Sequence, residues 1–138
     1  GVPEAMRSGY VLTMLLAATG YFAFTHFIFR LRPAEVKIAE RFDYRSFRWI
    51  YALILVPSAL WMPLTFAMIQ DPGPGLWLAT RLMLALVGIG SLSMLAALLW
   101  LEPRTPKVAH RLAVVGSVPF IFQTGVLDAL VWPAYFPV

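Results

Sequence analysis

Long apolar runs alternate with short polar links along this chain. Four runs stand out: Tyr10 to Phe29, Trp49 to Ile69, Leu76 to Leu101, and Leu112 to about Trp132. Each has the ~20 residues needed to cross a bilayer core of ~30 Å. The pattern predicts an all-α, up-down bundle of four transmembrane helices. It forms one domain over 1–138, because the runs leave no length for a separate soluble unit.

Composition agrees. Of 138 residues, 60% are hydrophobic and 13% charged, where soluble chains carry roughly 25% charged residues. The mean hydropathy is +0.75. A net charge of +4 raises the question of nucleic acid, but the charge distribution answers it. Arg30, Arg32, Lys37, Arg41, Arg45 and Arg48 lie between or beside runs one and two, and Arg104, Lys107 and Arg111 between runs three and four. Only Arg7 sits on the other side. This is the positive-inside asymmetry of a membrane protein. It predicts loops 30–48 and 102–111 on the cytoplasmic side and both termini opposite, in a bacterial inner membrane or an organelle membrane. The bilayer, and no nucleic acid, is the expected partner. With no cysteine, disulfide and thiolate chemistry are excluded. The chain opens at Gly1, and Gly1 to Gly9 has no signal-peptide apolar core of its own.

The links and spans add detail. Pro33 can start a helix, and Val36, Ala39 and Phe42 recur at about one turn, so a short interfacial helix is expected within 31–46. The six bases from Arg30 to Arg48 form either a solvated connector or a surface for lipid headgroups or a cytoplasmic partner. Pro57 and Pro63 in span two and Pro119 in span four are expected to bend their helices, because each removes a helical N–H. Ser58, Thr65 and Trp61 are candidates to serve the freed carbonyls. Gln70 to Gly75 reads as a tight polar turn. Span three places Gly88 on one face and Gly90, Ser93 and Ala97 on the other, which suits close helix packing on two sides. Its Gly-Ile-Gly-Ser stretch lies mid-span with no strand before it, so a nucleotide loop is rejected. Trp77, Trp132, Tyr135 and Phe136 mark one membrane interface, and Trp49 and Trp100 the other.

Two charges sit at membrane depth. Arg81 is expected ~8 Å and Asp128 ~10 Å inside the same boundary at 1.5 Å per residue. Ions there usually face protein and find partners. An intramembrane Arg81–Asp128 pair is therefore expected, with Gln123 and Thr124 adding hydrogen bonds nearby; Gln123 falls off the Asp128 face at helical spacing. In the competing arrangement, one of the two reaches out to the interface. His26 is a weak candidate to hold haem or pigment, with His110 on the same membrane side. A hydrogen-bonding role for His26 and an interfacial place for His110 fit better. No catalytic signature and no metal-binding motif occurs within a span. No cofactor is predicted, and bound lipid is expected. The leading expectation is a non-catalytic structural or accessory subunit in a homo-oligomer or larger membrane complex. The alternatives are a small-molecule or ion binding or transport protein with an outward site at Arg81 and Asp128, and a haem-bearing redox subunit or membrane enzyme using His26.

Overall fold

The structure, a computed structural model, describes residues 2–136. Helix α1 covers Glu4–Phe29, α2 covers Ser46–Gln70 and α3 covers Pro74–Leu99. The fourth span is composite: α4 (Lys107–Ile121), a π-helical segment (Phe122–Val131) and α5 (Trp132–Tyr135). All four spans are long and apolar enough to cross a membrane. The helices run past the apolar blocks at several ends. Glu4 lies in the first turn of α1, where a carboxylate meets the helix dipole favourably, and Pro74 opens α3 where its missing N–H costs nothing.

Helix α1 packs along the fourth span, the fourth span along α3, and α3 along α2. Glycines set these approaches. A Cβ on Gly20 would fall on the Gly116 carbonyl oxygen, so α1 and α4 meet backbone to backbone. A Cβ on Gly88 would lie 3.1 Å from Gly125 Cα, and one on Gly90 would lie 2.8 Å from Ile54 Cγ1. Helix α3 thus presents one glycine to each neighbour, where packing contacts rather than hydrophobicity hold membrane helices together.

The apolar core is concentrated at the end carrying the two basic loops. Phe24, Phe27 and Ile28 of α1, Phe47 of α2, Met94 and Leu98 of α3, and Ala113 of α4 meet there. Most buried polar side chains, Thr65, Thr80, Ser91, Ser117, Gln123 and Thr124, instead occupy the middle and the opposite end, with His110 at the loop end. The interior is therefore mostly apolar at one end and more polar at the other.

The 31–46 link is not helical. It runs through turns into β1 (Lys37–Ile38), which pairs antiparallel with β2 (Leu101–Glu102), with Ile38 opposite Leu101 and Lys37 opposite Glu102. Strand pleating turns Ile38 and Leu101 into the core and leaves Lys37 and Glu102 outside. Leu31 and Val36 are also buried and plug the bundle end, while Ala39 and Phe42, which helical spacing grouped with Val36, stay exposed. Ala39 and Glu40, both at positive φ, then reverse the chain so that Ile38 bridges to Phe42. The Ala39 N–H donates to the Trp100 carbonyl at 3.1 Å, which pins the turn to the end of α3.

Pro57 and Pro63 leave α2 continuous. The Ser58 hydroxyl donates to the Ile54 carbonyl at 2.6 Å and Thr65 to the Trp61 carbonyl at 2.8 Å. Each lies beyond the carbonyls four residues before the prolines, Leu53 and Ala59, so these hydroxyls do not serve the freed groups directly. In the fourth span the change of form follows Pro119 by three residues, as a π segment.

Candidate functional site

The expected Arg81–Asp128 pair is not formed. The one ion pair among the described residues joins Arg32 to Glu35, exposed in the loop at 3.2 Å. Arg81 is exposed and shares its face of α3 with Leu78, Ala85, Ile89 and Leu92, all exposed as well. Its guanidinium carbon lies 6.0 Å from the centre of the Trp77 ring. A long basic side chain on the outer face near a span end reaches the interface instead of crossing the bundle.

Asp128 is half-buried and has a different partner. Gln123 Nε2 donates to Asp128 Oδ1 at 2.8 Å, and Thr13 Oγ1 lies 2.7 Å from Gln123 Oε1 as donor. A carboxylate only accepts, so the Gln123 amide nitrogen faces it and the amide oxygen faces the Thr13 hydroxyl. The Thr13 hydroxyl also lies 3.1 Å from the Gly9 carbonyl and 3.0 Å from the Tyr10 carbonyl, and its single hydrogen serves one of the three at a time. Tyr10 Oη donates to the Leu127 carbonyl at 2.8 Å. The Leu127 carbonyl also takes the Trp132 N–H five residues on, the bond that defines the π form. A polar line thus runs from α1 to the carboxyl through Thr13 and Gln123.

The π form is what allows it. In an α-helix, five residues turn through ~500°, which leaves side chains 123 and 128 on different faces, ~140° apart. In a π turn the fifth residue comes back over the first. The assignment of Gln123 away from Asp128 assumed α geometry throughout and is corrected by this local change. Pro119 and Pro133, neither with an N–H to give, bracket the segment.

Thr124 points the other way. Its hydroxyl lies 2.9 Å from Ser91 Oγ and 2.8 Å from the Phe120 carbonyl, with one hydrogen to give to one of them at a time, while Ser91 donates to the Gly88 carbonyl at 2.8 Å. Thr124 therefore ties α3 to the π segment beside the Gly88–Gly125 approach and does not support Asp128.

Beyond Asp128 the span ends in aromatic rings. Trp132 packs on Phe136 with centroids 4.7 Å apart, on Trp61 at 5.7 Å and on Trp77 at 6.4 Å, so α2, α3 and the fourth span share one cluster.

The two histidines exchange the places expected of them. His110 is buried, with Nε2 2.8 Å from the Leu98 carbonyl and its ring edge-on to Phe27. His26 is exposed near the end of α1. His110 closes α4 against α3 and holds its ring for structure, so the pair of imidazoles does not converge on a shared site.

Tyr10, Thr13 and Ser91 were not singled out from the sequence. Tyr10 and Thr13 stand three apart on one helical face at the same end of the bundle as Asp128, a spacing that was readable. Ser91 gave no signal beyond being a hydroxyl in a run of small residues. No family model, no curated protein and no solved structure matches the chain.

Proposed function

We propose that this chain is a small four-span integral membrane protein that exchanges a cation, in the simplest case a proton, with one side of the membrane through Asp128. One observation carries the reading. A carboxyl group within a span is held by a neutral amide and lies beyond ion-pair distance of every basic group among the described residues. A charge at such depth is costly without a counter-ion, so the carboxyl favours taking up a proton or a cation from outside. A π segment at the same place supports the reading, because such segments occur frequently at functional sites. The excess of bases in loops 30–48 and 102–111 supports a cytoplasmic position for them, with the Asp128 end facing out.

Infrared difference spectroscopy of the chain in proteoliposomes tests this as the outside pH is stepped. One component of the protonated-carboxyl C=O band should rise and fall with the outside pH, and Asp128→Asn should remove that component while the protein keeps its helix content and elution volume. Difference spectra that are the same with and without the Asp128 carboxyl would end the proposal.

A second reading, an accessory subunit of a homo-oligomer or a larger complex, is favoured by the packing order. Helices α1 and α2 flank the chain's two ends of contact and meet mainly through side chains, Thr25 to Tyr51 at 2.8 Å and Tyr21 to Tyr51. Exposed apolar side chains on both helices, Leu15, Phe22, Leu55 and Phe66 among them, leave surface that another span could cover. Mass analysis of whatever co-elutes in mild detergent decides it: a stoichiometric protein partner supports this reading, and a monomer carrying only lipid opposes it.

A further inference from the structure

We propose that the loop end of the bundle holds one zwitterionic phospholipid, with an acyl chain between α2 and α3 and its headgroup in the cleft beneath the 39–43 turn. This site lies at the opposite end of the bundle from Asp128 and does not depend on it.

The apolar part is a groove of about 500 Å³. That volume lies within the ~300–1,000 Å³ typical of small-molecule sites. Ser93, Ala96 and Ala97 form a floor of small side chains on α3, and Ile50 of α2 adds an apolar wall. Trp49 and Trp100 border it at 78% and 62% exposure. Tryptophans so placed belong at the headgroup level of a membrane, so the groove opens where a lipid enters.

The polar part adjoins it. A cleft of about 430 Å³ contains Lys37, Glu40, Arg41 and Asp43, and shares Phe42 and Ser46 with the groove. Two bases and two acids suit a headgroup carrying both a phosphate and a protonated amine. A purely anionic headgroup would meet both acids. An amine with N–H groups can donate to Glu40 and Asp43, which selects phosphoethanolamine over a trimethylated headgroup.

A partner helix fits the groove poorly. Its α3 side runs only from Ser93 to Trp100, about 10 Å of helix at 1.5 Å per residue, whereas a packed span needs a trough over much of its length. An apolar slot ending in a two-signed polar cleft has the outline of a single amphiphile.

The test is native mass spectrometry of the full chain released from nanodiscs of mixed phosphatidylethanolamine, phosphatidylglycerol and phosphatidylcholine. One bound phosphatidylethanolamine per chain is expected, enriched over its share of the nanodisc. Ala96→Phe, which fills the floor of the groove, should abolish retention with the thermal midpoint held. The exposed pair Lys37→Gln and Arg41→Gln, which leaves the core untouched, should weaken retention roughly tenfold, as loss of about one charged hydrogen bond does. Preferential retention of phosphatidylglycerol, retention indifferent to headgroup, or full retention by the Lys37/Arg41 variant would each overturn the assignment.

Discussion

Gln123 and Asp128 lie five residues apart on one span, yet their side chains meet at 2.8 Å. The contact exists because the chain between them is π-helical, and it replaces the ion pair that charge alone would suggest. Neutral amide and carboxyl together cost less at membrane depth than an unpaired carboxylate, and the amide in turn is held by Thr13 of α1. The contact therefore links the local form of one helix to its packing on another.

Replacing Gln123 by Leu removes the donor from Asp128 and the acceptor from Thr13. Stability in detergent should fall by about 1–3 kcal/mol, the usual cost of stranding a buried polar group. Adding Asp128→Leu should recover most of that loss, because both partners are then apolar. Thermal unfolding followed by circular dichroism reads both changes, and a silent Gln123→Leu would contradict the arrangement.

Arg81 and Asp128 should behave independently. Arg81→Gln removes an exposed contact with Trp77, expected to be worth ~0.5–1 kcal/mol. In a double-mutant cycle with Asp128→Asn, the two effects should add within ~0.5 kcal/mol. A coupling larger than that would restore the ion pair.

Glycine substitutions should differ sharply by position. Gly20→Ala puts a methyl onto the Gly116 carbonyl and should cost at least the ~1–3 kcal/mol of an overpacked contact. Gly125→Ala meets Gly88 Cα at 3.9 Å, an ordinary contact, and should be tolerated. Parallel thermal melts of the two variants check this, and equal midpoints would show that α1 and α4 are not in backbone contact.

His110→Leu should destabilise the bundle, since it removes the side-chain partner of the Leu98 carbonyl and the edge contact with Phe27. A loss of about 1–3 kcal/mol is expected. His26→Leu, at an exposed position, should leave the melting midpoint in place. The reverse order would place the structural histidine on α1.

The length and spacing of the apolar runs by themselves determined the class: four spans, helical, joined by short links, with bases gathered at one end. Those features are local, since a run of about 20 apolar residues requires a membrane-spanning form whatever its neighbours do. The contacts of Asp128 were not local. Its facing depends on the rotation of the last span, and one change from α to π geometry between Phe122 and Val131 redirects every side chain that follows. The same holds for residues 31–46, where helical spacing gave way because Ile38 and Leu101, distant in sequence, bury each other at the bundle end. Periodicity says which residues share a face of an ideal helix; tertiary packing decides where the helix departs from the ideal and what each face meets.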